Sequence, residues 1–132
     1  MVDHNDGFFV MLMVRPGSLR NGLLALLKSI PGIVTIETAE SSESGMINFV
    51  KQKPQLVIFE ADGSYDRLSF LLGSIKSKFP AACCILIAEN QPDPVTIADL
   101  QIDAIIQQGA HPDELVILIE KLISEVNQKK GE

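Results

Sequence analysis

Two carboxylates, Glu60 and Asp62, follow the apolar run of residues 56–59, and they are the side chains of this sequence best placed for chemistry. The run has the length and composition of a buried strand, and it belongs to a repeating pattern of strands and helices. In open α/β sheets the functional crevice lies outside the carboxyl ends of the parallel strands, so residues at the strand exits decide which reactions the fold supports. The pattern therefore predicts a crevice that contains this carboxylate pair.

Other reactive side chains lack the companions that catalysis or metal binding requires. Cys83 and Cys84 are adjacent in an apolar run, where they should point to opposite faces, and their spacing suits neither a zinc site nor a redox CxxC motif. We expect both thiols to be inert packing groups. His4 and His111 have no neighbouring ligands or acid–base partners in the sequence. The sequence therefore predicts no metal site, no cofactor and no enzymatic activity.

Hydrophobic periodicity alternates along the chain between continuous apolar runs and helical stripes. Ser18 is expected to cap the first helix, and Pro112 occupies a first helical position before two acids. The predicted strands cover residues 8–14, 33–38, 56–59, 83–87 and 102–106, and the predicted helices cover residues 19–30, 41–53, 68–79, 92–100 and 112–126.

Five strands that alternate with five helices in one short chain predict an α/β fold. We expect a three-layer flavodoxin-like (βα)5 sandwich around a parallel five-stranded sheet of order 2-1-3-4-5. The chain of 132 residues is long enough for one domain with a substantial core. That domain should span residues 8–127, between a flexible N-terminus of residues 1–7 and a C-terminal tail of residues 128–132.

The charge and composition of the chain argue against several classes of function. Lys and Arg number 11 and Asp and Glu number 17, so the formal net charge is -6, which repels a nucleic-acid backbone. Because the basic residues are scattered, we expect no direct nucleic-acid binding. No apolar run approaches the roughly 18 residues of a membrane-spanning helix, and residues 1–7 lack the pattern of a secretory signal. A cytoplasmic protein without membrane association is predicted.

Four local patterns occur in an order and at a spacing that suggest a known family. They are residues 19–27 (LRNGLLALL), residues 53–59 (KPQLVIF), residues 103–106 (DAII) and residues 111–115 (HPDEL). These are similar, respectively, to the first helix, third strand, fifth strand and last helix start of bacterial response-regulator receiver domains, of the kind that precede LuxR-type DNA-binding domains. The chain resembles such a receiver over residues 8–126. The resemblance implies a regulatory domain of two-component signal transduction.

The resemblance also implies a site, which this sequence departs from at its first strand. Receivers place two acids after that strand, where they hold Mg²⁺. Here the acidic pair falls on Val14 and Arg15, or on Arg15 and Pro16 if the register shifts by one residue. The metal ligands are therefore absent and a cation stands in their place.

The remaining site positions depart from the family pattern as well. Glu60 occupies the position of the phosphorylated Asp, Ala88 that of the Ser or Thr, and Gln108 that of the Lys. Ala88 and Ile105 stand where receivers carry their two switching residues. Phosphoryl transfer to a carboxylate needs a positioned nucleophile and cations that neutralise the transferring oxygens. We therefore predict that the domain does not autophosphorylate at a useful rate.

Arg15 and Glu60 each leave two hypotheses open. Because the first and third strands are neighbours in this fold, Arg15 should approach Glu60 or Asp62 and substitute for the metal ion, unless it is simply solvated. Glu60 could hold an active conformation as a permanent negative charge. Its alternative is a purely local role, which we favour because a carboxylate has about one charge where a phosphoryl group has nearly two.

Surfaces remain as the predicted basis of function. The last helix has an apolar arc wider than one sheet face can cover, so its interface candidates for a homodimer or an output domain are Leu115, Ile117, Leu118 and Leu122. The leading hypothesis is a phosphorylation-independent pseudo-receiver that regulates signalling or transcription through a protein partner or its own output domain. The alternative is a receiver-derived sensor that binds a small ligand or anion in the strand-exit crevice near Arg15. An enzyme of the same topology is the third hypothesis, and no nucleophile and base pair supports it.

Overall fold

Five apolar segments form a parallel sheet in the computed structural model, which describes residues 8–38, 54–60, 65–88, 102–107 and 109–130. The strands are β1 (Phe8–Met13), β2 (Ile33–Thr38), β3 (Leu56–Glu60), β4 (Cys83–Ala88) and β5 (Ala104–Gln107), and the described helices are α1 (Ser18–Lys28), α2 (Tyr65–Lys78) and α3 (Pro112–Lys130). The strand order is β2-β1-β3-β4-β5, which confirms the predicted flavodoxin-like topology. The predicted helices over 41–53 and 92–100 lie outside the described residues.

The sheet separates two apolar cores, because successive side chains on each strand point to opposite faces. One core contains Met11, Val57, Cys84 and Leu86, and α2 covers it with Leu72 and Ile75. The other core contains Val10, Leu12, Leu56, Ile58 and Ile85, and it is covered by Leu23 and Leu27 of α1 and by Leu115 and Ile119 of α3. Burial on both faces explains why β1, β3 and β4 are continuous apolar runs instead of alternating ones.

Helix α1 begins at Ser18, the residue expected to cap it and one residue before the predicted helix start. Gly17, and not Ser18, occupies the N-cap position, with a φ of 146° and without a side-chain cap hydrogen bond. This φ lies in the region that L side chains rarely adopt, so glycine makes the sharp turn from β1 into α1 possible. The prediction that Ser18 caps the helix is therefore wrong.

The ends of several elements differ from their predicted positions. Strands β3 and β4 each extend one residue further, to Glu60 and Ala88, whereas β5 begins at Ala104. Helix α3 continues to Lys130, past the predicted domain boundary at residue 127. Over the described ranges, no helix has the length and apolar character needed to cross a membrane.

Candidate functional site

The exits of β1 and β3 lie side by side at the carboxyl edge of the sheet. Met13 pairs with Phe59 at the last step of the β1–β3 register, so the chain segments that begin at Val14 and at Glu60 leave the sheet together. Val14 is buried in the core that α1 and α3 cover, whereas Arg15 and Pro16 are exposed. The topology therefore brings the segment of residues 14–16 next to Glu60, the predicted phosphoacceptor-equivalent residue.

Arg15 and Glu60 form a two-point ion pair at this edge. The Arg15 Nε lies 3.0 Å from Glu60 Oε1, and the Arg15 Nη2 lies 3.2 Å from Glu60 Oε2. The backbone N–H of Arg15 also donates to Glu60 Oε1, at 3.1 Å. The guanidinium side chain is 65% exposed and the glutamate side chain is 11% exposed. The pairing expected from neighbouring strands is thus present, and it fixes a largely covered carboxylate through both of its oxygens.

A second arginine reinforces the positive character of the β1 exit. The Arg20 Nε, from the first turns of α1, donates a hydrogen bond of 2.9 Å to the carbonyl oxygen of Val14. One guanidinium group therefore belongs to this segment and a second binds its backbone, where the resemblance to receivers implies two carboxylates. Any divalent cation at this point would meet their repulsion and would have to compete with Arg15 for Glu60. Across the described part of the chain, His, Cys, Asp and Glu side chains form no group of three that could hold a metal.

The other predicted site positions are less reactive or lie outside the described residues. Ala88 ends β4 and is buried, and Ile105 is half-buried on β5 against the core under α2. Neither side chain has a hydroxyl or another polar group that could respond to the charge of Glu60. Asp62 and Gln108 lie outside the described residues.

The two cysteines point to opposite sides of the sheet, as expected for adjacent strand residues. Cys84 belongs to the core under α2, and Cys83 packs against the core under α1 and α3. Burial raises the pKa of the Cys84 thiol to about 12, and the nearby Lys76 ammonium lowers it only in part. A thiol that stays protonated at neutral pH is a poor nucleophile, which agrees with the packing role.

A polar connection at the opposite edge of the sheet was not predicted from the sequence. Lys76 Nζ, on α2, donates to the carbonyl oxygen of Ala82 at 2.7 Å and to Asp103 Oδ2 at 2.8 Å. Asp103 Oδ2 also accepts the backbone N–H of Cys84 at 2.7 Å. These contacts join α2 to the starts of β4 and β5. No local signal in the sequence pairs Lys76 with an acid 27 residues later.

The interface candidates on α3 divide by exposure. Ile117 is 66% exposed, and Leu118 and Leu122 are half-buried. Leu115 is 4% exposed and belongs to the core under α1 and α3, so its prediction as a surface contact is wrong. The physical reason is that the first turn of α3 lies directly over the sheet.

Comparisons with known proteins identify the fold. No protein-family model and no curated protein sequence matches the chain. Solved structures do match, at a probability of 1.00: a LuxR family DNA-binding response regulator from Silicibacter pomeroyi has 20% sequence identity and a TM-score of 0.70, and the match covers 89% of this chain and 93% of that chain.

Two further structures give the same answer. An orphan response regulator of H. pylori has 19% identity and a TM-score of 0.72, with 89% of this chain and 98% of that chain covered. A CheY-like protein, TadZ, from Pseudomonas aeruginosa has 15% identity and a TM-score of 0.73, with 88% and 99% covered. This chain has the receiver-domain fold.

Proposed function

We propose that this chain is a phosphorylation-independent pseudo-receiver, which acts in bacterial signal transduction or transcription control by binding a protein partner or an output domain of its own protein. The receiver fold supports a regulatory role over an enzymatic one. The Arg15–Glu60 ion pair is the observation that carries the proposal, because it lies at the exits of β1 and β3, where the resemblance implies the metal ligands and the phosphoacceptor.

Three features of the pair oppose phosphoryl transfer. Both oxygens of Glu60 accept hydrogen bonds from Arg15, which holds the carboxylate in one orientation and makes each oxygen a weaker nucleophile. The glutamate side chain is one methylene longer than aspartate, and a displacement of about 1 Å can cost on the order of 100-fold in rate. The cation beside it is fixed to the protein and takes the place of the Mg²⁺ that would bridge the incoming phosphoryl oxygens.

The same contacts support a local role for Glu60 over mimicry of a phosphoryl group. Arg15 compensates the carboxylate charge where it arises, so little unpaired negative charge is left to act on a distant element. Ala88 and Ile105 also lack the polar groups through which such a charge could shift a switch. It follows from this proposal that the crevice is constitutive with respect to phosphorylation.

Chemical phosphorylation tests the proposal directly. The chain is incubated with Mg²⁺ and either acetyl phosphate or beryllofluoride, beside an active receiver as a positive control for the reagents. We expect intact mass spectrometry to show no phosphoryl adduct and fluorine NMR to show no bound beryllofluoride. A stoichiometric adduct that maps to Glu60 or Asp62 would refute phosphorylation independence.

Similar structures also support the partner class. The match from Silicibacter pomeroyi is described as a DNA-binding response regulator, so a DNA-binding output unit elsewhere in the same protein, or a separate protein, is the partner that we propose. The net charge of -6 argues that the receiver-like domain itself does not contact DNA. We further propose a cytoplasmic location and a homodimer through the exposed side of α3.

A further inference from the structure

A cavity of about 560 Å³ lies between α1, α3 and the ends of β4 and β5. Its apolar lining consists mainly of Leu19, Leu23, Leu26, Ile87, Ile106 and Leu115, and we call it the α1–α3 pocket. Arg15 and Glu60 are not among its lining residues. The pocket is therefore separate from the crevice in which the ion pair lies.

The pocket exists because the facing side of α1 carries small residues. Gly22 and Ala25 line it, and a Cβ added at Gly22 would meet no heavy atom within 4 Å. The larger side chains of Leu19 and Leu26 stand beside this gap and are only half-buried. The gap opens to solvent, because Gly22 and Ala25 are themselves exposed, and the two leucines therefore form an incompletely covered apolar surface.

The chemistry of the lining favours an uncharged ligand. Among the described lining residues there is no carboxylate, ammonium or guanidinium group, and polar atoms come from Ser18, Ser29, Gln107, His111 and the backbone. The Ser29 hydroxyl already donates to the Leu26 carbonyl oxygen at 2.6 Å, and His111 Nδ1 accepts the Asp113 N–H at 3.2 Å. An apolar wall with a few polar groups is the usual composition of a small-molecule site.

The shape of the pocket favours a compact occupant over a docked helix. On α3 the lining includes only Pro112 and Leu115, both in the first turn. Further along α3, Ile123 Cγ2 lies 3.6 Å from the place that a Cβ on Gly32 would take, so the turn after α1 packs against α3 at that end. A helix laid in a groove needs walls on both sides over two turns or more, and α3 provides its wall for only one turn.

We propose that the α1–α3 pocket binds a small, uncharged, mainly apolar molecule. Its volume lies within the range of about 300 to 1,000 Å³ that is typical of drug-sized ligands. A bound ligand would contact α1, the ends of β4 and β5, and the segment from Gly109 to Pro112 at once. The pseudo-receiver would then be a domain whose α1 and α3 surface is set by a metabolite and not by phosphorylation.

The neutral fluorescent probe N-phenyl-1-naphthylamine tests the proposal on the intact chain. The chain has no Trp and one Tyr, so the intrinsic emission is weak and a probe signal is easy to assign. We expect saturable binding of one probe per chain, with amide shift changes in 18–29 and 109–115 by NMR. Gly22→Phe fills the cavity and should weaken binding at least about tenfold, whereas the matched Gly22→Ala control should keep it within about twofold.

Two further controls separate this site from other causes. Phe70 is 73% exposed on α2, on the opposite face of the sheet, so Phe70→Ala tests whether the probe merely adheres to an exposed aromatic ring. Ala25→Leu also fills the cavity and replaces Gly22→Phe if circular dichroism shows that the latter is unfolded. Non-saturable binding, binding unaffected by a filled cavity, or loss of binding in Phe70→Ala would overturn the proposal.

Light scattering tests whether a second copy of the chain, and not a small molecule, occupies the α1–α3 pocket. A chain whose mass falls from dimer to monomer in Gly22→Phe but not in Gly22→Ala would assign the pocket to a self-interface and would equally overturn a ligand site. None of these outcomes bears on phosphorylation of Glu60, so the two proposals fail or survive separately.

Discussion

At the scale of single residues, the position of Arg15 decides which chemistry this receiver fold permits. A guanidinium is always charged and presents a planar fork that matches a carboxylate, so one side chain can take the site of a metal ion and supply one positive charge there. It differs from a metal in being covalently fixed. The charge of Glu60 is therefore compensated within the protein, without a bound metal ion.

The Arg15–Glu60 contact was predictable from the sequence because the fold makes the first and third strands neighbours. The sequence left two possibilities for the Arg15 side chain: it could pair with Glu60 or Asp62, or it could be solvated. Hydrophobic periodicity does not distinguish them, because it does not determine the loop geometry beyond a strand exit. The Arg20 contact was less accessible to sequence reasoning. It depends on the sharp turn at Gly17, which returns α1 over the end of β1.

A double-mutant cycle measures the strength of the Arg15–Glu60 pair. Arg15→Ala, Glu60→Gln and the double variant should give a coupling of about 0.5 to 1 kcal/mol in urea unfolding at low salt. The figure is modest because the guanidinium is 65% exposed and water screens it. The coupling should decrease in 1 M salt. A coupling of zero at low salt would mean that the pair is a contact without energetic weight.

Cys84 provides a pH-dependent prediction at the same scale. Its folded-state pKa of about 12 exceeds the ordinary value of 9.0, so the folded protein keeps a thiol proton that the unfolded chain releases. The free energy of unfolding should therefore be unaffected by this group below about pH 9 and should fall as the pH rises from 9 towards 12. In Cys84→Ala that slope should be shallower, and an unchanged slope would contradict the assignment.

At the scale of elements, the strands of the sheet could be predicted from their continuous apolar runs. The polar contacts between elements could not be predicted. Burial on both faces forces a run of apolar residues in β1, β3 and β4, and such runs are visible in any window of the sequence. The Lys76–Asp103 contact instead joins α2 to the start of β5. Hydrophobic periodicity does not indicate which acidic and basic side chains meet when they lie in separate parts of the chain. It also does not predict the α1–α3 pocket, because the walls of that pocket come from separate segments.

A substitution of Lys76 tests whether the Lys76–Asp103 contact stabilises the packing of α2 on the sheet. Burial alone would lower the pKa of Lys76, but the hydrogen bond to Asp103, followed by the charges of Cys84, Asp103 and Cys83, together outweigh burial and raise it. Lys76→Met should lower the free energy of unfolding by about 1 to 2 kcal/mol, since it leaves the Ala82 carbonyl and Asp103 without this donor.

Lys78→Met is the matched control for that measurement, because Lys78 is in the same last turn of α2 and is exposed. We expect its effect to stay within about 0.5 kcal/mol. Hydrogen exchange should also show faster opening of the C-terminal turn of α2 in Lys76→Met alone. Equal losses in both variants would indicate a general effect of charge removal and not the specific contact.

At the scale of the whole molecule, two large apolar side chains are exposed on opposite layers among the described residues. Ile117 lies on α3 and is 66% exposed, and Phe70 lies on α2 and is 73% exposed. Each is a single exposed residue, which by itself is common in monomers. Ile117 differs in lying on α3, whose half-buried Leu118 and Leu122 are the other predicted interface candidates.

The proposed homodimer should therefore depend on Ile117 and not on Phe70. A two-fold interface repeats each contact, so Ile117→Glu would place two buried carboxylates close to each other and should convert the dimer to a monomer in sedimentation equilibrium. Phe70→Glu introduces the same charge on the opposite layer and should leave the dimer intact. A wild-type chain that stays monomeric at high concentration, or a dimer lost only with Phe70→Glu, would move the partner surface away from α3. Ile117 does not line the α1–α3 pocket, so a dimer on this surface leaves that pocket open to its ligand.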